Sequence, residues 1–461
     1  MAKKTYCNPI KIPNVGKAIH CIRNKALKHF REIADPDVLF DNGKWYMVAS
    51  CSSILSSEDG VNWTDHKVQC DAFKTYAPCI CKYRGKYYVS SCCDGIYVSD
   101  TPTGEYKFVG KYHLKDGNWT EGYPDPDLFA DGDNGLYLYW GCGDAIYGVK
   151  LNDDDPSQID TEVKTLIKFN PKNEWERAGA YNQNKKVAWT EGSCMYYKDG
   201  IYYLIYSTAG TEYPTYAMGV YTSDSPLGEF KPQKNNPFLR GTDGYVKGAG
   251  HGCVALGMDG NPWVFYTSTM GVMNMYERRI GMDRVYIDEN KELVCGGPTG
   301  RPQLAPLNDG KLECSYTPLT VYQRPTASSE KEGREAIYLT DEHTMSWWQP
   351  VDTDMEPWIT VPLGYLGDYK VYSARIVWRD IGIDYDKDGF KPEPMSFEII
   401  GETKDGETKV LYDGSKNDQD NCCDYIEFEP MVCNKITLKF KQKENFKMGV
   451  TDFTVFGEME D

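Results

Sequence analysis

Two Asp-Pro-Asp tripeptides and one glutamate are the residues of this chain whose types and spacing suit proton-transfer chemistry. Asp35-Pro36-Asp37 and Asp125-Pro126-Asp127 each precede an apolar stretch, and Glu191 opens a third such segment before Gly192. Because proline fixes its own φ and restricts the residue before it, we expect Asp35 and Asp125 to be held extended at the start of a strand. Gly192 is expected to let a substrate approach Glu191 closely.

Carboxyl groups on opposite sides of a bond are what glycoside hydrolysis requires, since one protonates the leaving oxygen and the other activates water. A third carboxyl can tune the proton donor. The chain holds 68 acidic residues, so a single Asp-Pro-Asp is more often a solvated turn. Recurrence at the same place in a repeated unit strengthens the case for catalysis by Asp35, Asp125 and Glu191, but from the residues alone the solvated turn stays slightly favoured.

A repeated hairpin pattern predicts the elements that position these acids. Each copy has a polar turn with glycine, an aromatic strand, and a second strand rich in small polar residues. The glycines lie roughly 40 to 65 residues apart, which is the period of propeller blades. The pattern predicts a five-bladed β-propeller, with a set of unrelated hairpins as the alternative. The five turns are Asp41-Asn42-Gly43, Arg84-Gly85, Asp133-Asn134-Gly135, Lys198-Asp199-Gly200 and Asp259-Gly260.

The sequence pattern changes after a Pro/Gly-rich stretch at 298–302, which is the predicted linker. Short strands with turn signals about every ten residues follow, and this is typical of a β-sandwich. We therefore predict an all-β fold with two domains. The propeller is expected over residues 1–305 and an accessory sandwich over residues 306–461.

Composition and charge disfavour several classes of partner. The formal net charge of −17 would repel a polyanion, so nucleic acid and anionic membranes are not expected as partners and a neutral ligand is favoured. The chain has neither a transmembrane-length apolar run nor a signal-peptide pattern, so a cytoplasmic location is predicted. The 16 cysteines lack C-x-x-C spacing and are interpreted as reduced, mostly buried thiols rather than disulfides or zinc ligands.

An ordered set of short motifs resembles glycoside hydrolase family 43, a family of five-bladed propellers, over about residues 6 to 305. The resemblance implies that Asp35 is the general base, that Asp125 raises the pKa of the proton donor and orients it, and that Glu191 is the general acid. It also implies inversion of the anomeric centre, for which base and acid carboxyls lie about 6.5–9.5 Å apart. The motifs are Asn8-Pro9-Ile10, Ala34-Asp35-Pro36-Asp37, Tyr76-Ala77-Pro78, Asp125-Pro126-Asp127-Leu128-Phe129, Glu191-Gly192 and Gly248-Ala249-Gly250-His251.

The same resemblance implies roles for further residues. Arg278 matches an arginine that contacts sugar hydroxyls, with the adjacent Arg279 as the alternative counterpart. Tyr76 stands where the family usually has a tryptophan that walls the sugar pocket. His251 matches a histidine that contacts a bound calcium or its water shell, so a structural calcium is expected while the chemistry requires no cofactor. Ser193 replaces a frequent proline, and neither departure removes a proton-transfer group.

The C-terminal part resembles a discoidin-type sandwich, a fold shared with many carbohydrate-binding modules. Trp347, Trp348 and Trp358 are expected to lie in its core rather than on a sugar-binding surface. The segment Asp384-Tyr385-Asp386-Lys387-Asp388-Gly389 resembles the start of a calcium loop, but the twelfth position is Met395 and not glutamate. An acidic solvated turn is therefore the first interpretation and a calcium site the second.

Together these patterns predict an exo-acting, inverting glycosidase. Its expected substrates are arabinofuranosyl, xylosyl or galactofuranosyl residues of plant-type oligosaccharides or polysaccharide fragments. Two alternatives stay open. One is a non-catalytic carbohydrate-binding protein, and the other is a retaining, fructan-processing enzyme on a related propeller, in which the first aspartate is the nucleophile.

Overall fold

The computed structural model is built from β-strands, and the helices among its described residues are single 3-10 turns at Asp71–Lys74, Glu174–Glu176 and Ala336–Leu339. It describes residues 4–16, 30–50, 52–92, 95–117, 122–271, 275–307, 316–364, 367–381, 393–444 and 447–460. Within these ranges, no helix has the length and apolar character needed to cross a membrane. The cysteines in these ranges are free thiols and most are buried, as the sequence predicts.

Five antiparallel sheets form the first part of the chain, and each is one blade of a propeller. The first strand of every blade contacts the first strand of the next, and the fifth blade contacts the first, so the ring is closed. The predicted five-bladed propeller is confirmed. Blade 1 comprises Ala34–Asp41, Lys44–Ser50, Leu55–Ser57 and Thr64–Asp65; blade 2 Cys79–Tyr83, Lys86–Ser91, Gly95–Ser99 and Lys107–Gly110; blade 3 Asp127–Ala130, Leu136–Trp140, Ala145–Lys150 and Lys164–Lys168; blade 4 Thr190–Lys198, Ile201–Thr208, Ala217–Ser223 and Lys231–Pro232, with Cys142–Gly143 and Leu239–Arg240 paired beside them; and blade 5 Gly250–Leu256, Pro262–Thr269, Arg278–Ile287 and Leu293–Cys295.

The glycine turns predicted from the sequence connect the first two strands of each blade. At Asn42 and Gly43, φ is 50° and 77°, and residues 84–85 and 199–200 also have positive φ at both positions. Two consecutive positive φ values define the tight turn whose twist matches that of the flanking strands. A Cβ on Gly43 would meet nothing within 4 Å. The glycine is therefore required there by its backbone conformation and not by lack of space.

Aromatic packing joins the first blade to the last. Trp45 of blade 1 and Trp263 of blade 5 are fully buried, with ring centroids 6.0 Å apart in an edge-to-face arrangement. Phe265 packs edge-on against Trp45 at 4.9 Å. Such pairs contribute about 0.5–1.5 kcal/mol beyond the area that they bury. The two-stranded sheet of Thr5–Tyr6 with Gln303–Leu304 reinforces this closure.

Two further antiparallel sheets form the C-terminal part and share one hydrophobic core. Side chains from both sheets meet there, including Ile376 and Val455 from one and Ile359 and Leu438 from the other. The all-β fold is thus confirmed, while the likeness to discoidin domains and the division after residue 305 stay predictions. The first sheet comprises Thr317–Pro318, Lys447–Met459, Tyr369–Ile381 and Cys423–Cys433, and the second Thr326–Ala327, Trp358–Pro362, Lys435–Phe440, Phe397–Glu402 and Thr408–Asp413.

The three tryptophans predicted for the sandwich core differ in burial. Trp348 is fully buried, as predicted. Trp347 is half-buried, with the Arg334 guanidinium 3.5 Å from its ring centroid. Trp358 is 38% exposed, so the prediction is wrong for this residue, because its side chain lies on the face of the strand opposite the buried Ile359 and Val361. The acidic segment 384–389 lies outside the described residues.

Buried ion pairs join the sandwich to the propeller. Arg31, which precedes blade 1, lies 2.6 Å from Asp380 and 3.0 Å from Asp420 of the sandwich. Arg375 of the sandwich donates a hydrogen bond to the backbone carbonyl of Asn8 at 3.2 Å. Because buried charges are costly unless they are paired, these contacts fix the two parts against each other.

Candidate active site

One pocket of about 400 Å³ lies where the first strands of the blades begin, and this volume is typical of small-molecule sites. All of the site residues predicted from the sequence line it. The structure therefore brings together residues that lie up to more than two hundred positions apart in the chain. They are Asp35, Tyr76, Asp125, Glu191, His251 and Arg278.

At the start of the first strand of every blade, a residue with positive φ either lines the pocket or follows a residue that lines it. In blades 1, 4 and 5 the strand register shifts at this point, which marks a β-bulge. The prediction that Asp35 and Asp125 are extended is wrong, because both adopt a left-handed conformation, which a short acidic side chain tolerates. The five residues and their φ angles are Asp35 at 55°, Ala77 at 46°, Asp125 at 51°, Gly192 at 54° and His251 at 36°.

Hydrogen bonds between blades hold four of these strained residues. In each case the backbone N–H donates to a small side chain at the end of the second strand of the preceding blade, and blade 5 serves blade 1 in this way. These contacts supply acceptors for backbone donors at the starts of the first strands. They run from Asp35 to Thr267 Oγ1 at 2.8 Å, from Ala77 to Ser50 Oγ at 2.8 Å, from Asp125 to Cys92 Sγ at 3.2 Å and from His251 to Ser207 Oγ at 2.7 Å.

The Asp35 carboxylate is fixed at both oxygens. Arg278 Nη1 donates to Oδ1 at 2.9 Å, and the Ser50 hydroxyl donates to Oδ2 at 2.7 Å. The Nε of Arg278 donates to Glu32 Oε1 at 2.5 Å, and Glu32 is completely buried. Because charge-assisted hydrogen bonds favour the ionised form of a carboxyl group, these contacts stabilise Asp35 as a carboxylate.

Arg278, and not its neighbour Arg279, faces the pocket. The Nη1 of Arg279 donates at 2.9 Å to the backbone carbonyl of Arg31, so this side chain is directed to the segment before blade 1. Arg278 is only 3% exposed and contacts two carboxylates. Its contact with sugar hydroxyls stays a prediction, whereas its contact with Asp35 is part of the structure.

Asp125 and Glu191 form a close pair of carboxyl groups, with oxygens within 4.8 Å of each other. Tyr216 O–H donates to Glu191 Oε1 at 2.6 Å and the Cys142 thiol donates to Oε2 at 3.2 Å. Burial nevertheless raises the pKa of Glu191 to about 7. Burial, and then the charge of Glu191, raises the pKa of Asp125. Two acids this close titrate as a pair, so the pair retains a proton near neutral pH.

His251 stands between the two sides of the pocket. Its Nδ1 lies 3.4 Å from Asp35 Oδ1 and 3.7 Å from Asp125 Oδ2. Burial lowers the pKa of the imidazole, so the ring is neutral at physiological pH. A neutral ring can accept a hydrogen bond, or bind a cation, through the nitrogen that carries no proton.

A ring of side chains lies below His251, two residues further along the first strands. Asp37 Oδ2 accepts the Ile80 N–H at 2.7 Å, and Asp127 Oδ2 accepts the Met195 N–H at 2.9 Å, so both acids tie neighbouring blades together. Ca²⁺ usually takes about six to eight oxygen ligands, more than these two carboxylates supply. The calcium near His251 stays a prediction, and no step below depends on it. The ring is Asp37, Cys79, Asp127, Cys194 and Cys253.

Gly192 packs against His251 and leaves no open space for a substrate. A Cβ here would lie 2.8 Å from His251 Cγ. The prediction that Gly192 allows close approach of a substrate is therefore wrong, because the imidazole fills that position. Glycine is required both by its φ of 54° and by this contact.

Sequence reasoning missed several side chains that hold the predicted ones. Tyr216 and Cys142 contact Glu191, and nothing in their sequence context marks them. Ser50, Ser207 and Thr267 do carry a signal, because they belong to the small polar residues at the ends of the second strands. That shared position would have identified them.

A pocket that gathers acids from different blades at one end of a five-bladed propeller is typical of propeller glycoside hydrolases. The sequence model described as Glycosyl hydrolases family 43 matches residues 27–292. The chain belongs to this family.

Two relatives and one solved structure resemble parts of the chain. It is 31% identical over 199 residues to the "Xylosidase/arabinosidase" of Butyrivibrio fibrisolvens, covering 40% of this chain and 36% of that protein. It is 26% identical over 174 residues to the "Beta-D-galactofuranosidase xynD" of Aspergillus niger, covering 37% of this chain and 44% of that protein. Both matches thus span less than half of the relative. The crystal structure of a thermostable family-43 glycoside hydrolase shares the fold, with a TM-score of 0.51, 22% identity and coverage of 66% of this chain and 100% of that one.

We expect Gly192→Ala to destabilise the protein more than Gly43→Ala. Both glycines have positive φ, which costs a residue with a Cβ about 1–2 kcal/mol. At Gly192 the new methyl also meets the His251 ring, and such overpacking costs about 1–3 kcal/mol more. Urea denaturation of the two variants measures the difference, and equal losses of unfolding free energy would contradict the packing of His251 on Gly192.

Proposed function

We propose that this chain is an exo-acting, inverting glycosidase that removes arabinofuranosyl or xylosyl residues from short plant-type oligosaccharides or polysaccharide fragments. Galactofuranosyl residues are the third candidate. The observation that carries the proposal is one pocket holding an Asp35 carboxylate fixed by Arg278 and, beside it, the Asp125 and Glu191 pair. The names of the two relatives support these sugars.

The mechanism divides the two proton transfers between differently surrounded acids. Asp35, held as a carboxylate by Arg278 and Ser50, takes a proton from a water molecule. The water oxygen bonds to the anomeric carbon from one side while the bond to the leaving oxygen breaks on the other. Glu191 gives its proton to that oxygen, so the leaving group departs as an alcohol.

Asp125 assists Glu191 because the two carboxyl groups lie close together. Because a second charge within 4.8 Å is unfavourable in a buried site, the Asp125 carboxyl helps keep the proton on the pair until it is needed. His251, within 3.7 Å of both Asp35 and Asp125, sets the spacing between the two sides. The chemistry of these side chains requires no cofactor.

The walls of the pocket suit a single terminal sugar. Tyr76, Trp189 and Tyr276 line it with aromatic rings, which stack on the apolar faces of sugars. Glu212 and Thr211 add polar groups at the same wall. We assign Arg278 a first role in holding Asp35 and a second role in contacting sugar hydroxyls.

Glu191→Gln is expected to lower kcat by about 10²–10⁴-fold, because the amide cannot protonate the leaving oxygen. A panel of nitrophenyl arabinofuranosides, xylosides and galactofuranosides identifies the substrate and supplies the assay. Glu58→Gln, which alters an exposed glutamate paired with Lys44, is the matched control and should behave as the wild type. Activity on no member of the panel, or full activity in Glu191→Gln, would overturn the proposal.

Activity should fall as pH rises through the pKa of Glu191, which is about 7, because the acid form is the one that reacts. The hydrogen bond from Tyr216 favours the ionised form of Glu191 and so lowers this pKa. Tyr216→Phe removes that hydrogen bond, so the pKa should rise. The alkaline limb of kcat/KM should therefore move to higher pH. Profiles measured in EDTA test this, with Tyr203→Phe as the control, since its hydroxyl bonds to Lys291 away from the pocket. A shift to lower pH would contradict the assignment.

A further inference from the structure

A thiol stands directly beside the paired acids. Cys142 is exposed to the pocket, and its Sγ lies 3.2 Å from Glu191 Oε2. The backbone fixes this contact, because Cys142 pairs in register with Glu191 across two strands. Cys92, whose Sγ lies 3.4 Å from Asp125 Oδ1, adds a second sulfur to the same wall. The proposed mechanism gives neither sulfur a part in proton transfer.

We infer that Asp125, Cys142 and Glu191 form a binding site for a soft divalent cation such as Zn²⁺, which competes with the substrate. One donor atom from each residue lies within 4.8 Å of the other two. In tetrahedral zinc, with bonds of about 2.0–2.3 Å, neighbouring ligand atoms lie roughly 3.3–3.8 Å apart. Small side-chain movements therefore bring all three donors onto one ion, with water in the fourth position.

The sulfur determines which cation this site selects. Two carboxylates alone suit Mg²⁺ or Ca²⁺, whereas a thiolate beside them favours Zn²⁺ and Cd²⁺. On binding, the Cys142 thiol proton and the proton held by the Asp125 and Glu191 pair pass to solvent, and nothing is oxidised or reduced. The ion then occupies the oxygen lone pairs of Glu191. Inhibition of hydrolysis follows from this and rests on the proposed function, whereas the binding itself does not.

Metal binding is tested on the full chain after removal of endogenous metal. Titration with ZnCl₂ in a calorimeter should give one ion per wild-type chain, and CdCl₂ should produce a thiolate charge-transfer absorption. Cys142→Ser should bind at least about 10-fold more weakly and lose the absorption, since even the loss of an outer-shell partner commonly costs 10–100-fold in affinity. Cys295→Ser, at a half-buried thiol outside the pocket, should keep both. Wild-type binding by Cys142→Ser, or no binding by the wild type, would overturn the inference.

A second measurement needs no variant. Thiol alkylation of the wild type, followed by mass spectrometry, should label Cys142 less when ZnCl₂ is present. Equal labelling with and without zinc would overturn the inference even if Cys142→Ser failed to fold.

Kinetics separate this inference from the proposed function. Zn²⁺ should raise KM with little change in kcat, EDTA should reverse the effect, and Cys142→Ser should need at least about 10-fold more zinc for the same inhibition. A cadmium–thiolate absorption without turnover of any sugar would overturn the proposed function but support the metal site. Turnover that zinc does not inhibit would overturn the metal site but support the proposed function.

Discussion

The hydrogen bonds that run from four backbone N–H groups with left-handed φ to the preceding blade are the interactions on which the site depends. Left-handed conformations at residues such as Asp35, Asp125 and His251 cost on the order of 1–3 kcal/mol each and persist only where the surroundings enforce them. Here the enforcing groups are Thr267, Cys92 and Ser207. The ring of blades is thus also the frame of the pocket, because the backbone hydrogen bonds at Asp35, Asp125 and His251 each cross between two blades.

This frame gives the acids different surroundings and hence different protonation states. Asp35 faces a guanidinium and a hydroxyl, so its charge is stabilised. Glu191 receives only neutral donors and lies beside Asp125, so burial dominates and its pKa rises to about 7. Separating the protonation states of neighbouring acids in this way assigns the base and the acid by environment and not by residue type.

Much of the fold was predictable because its signals are local. The Asn-Gly and Asp-Gly turns depend on φ alone, and the structure uses them where the sequence marks them, as at Gly43 and Gly200. The acids were predictable because they recur at one place in the repeat. Tyr216 and Cys142 were not, because Cys142 meets Glu191 through pairing of distant strands and Tyr216 reaches it from just before the third strand of blade 4. The backbone of Asp35 was also mispredicted, since the effect of Pro36 is outweighed by the bulge.

The sandwich contributes to the same frame from outside. Arg279, the neighbour of the pocket residue Arg278, donates a hydrogen bond to the backbone carbonyl of Arg31. The Arg31 side chain is paired with Asp380 and Asp420 of the sandwich. Buried charged groups therefore hold the strand that carries Arg278 on the side that faces the sandwich. The second part of the chain supports the orientation of Asp35 by this route, whatever else its surface binds.

The stereochemistry of the first product tests the central claim, that Asp35 activates water while Glu191 protonates the leaving oxygen. Proton NMR recorded during the first turnovers of an active nitrophenyl glycoside distinguishes the two anomers before they equilibrate. The account predicts a first-formed sugar with the anomeric configuration opposite to that of the substrate. A first product with retained configuration would contradict it, because retention requires a carboxylate that bonds to the sugar rather than one that deprotonates water.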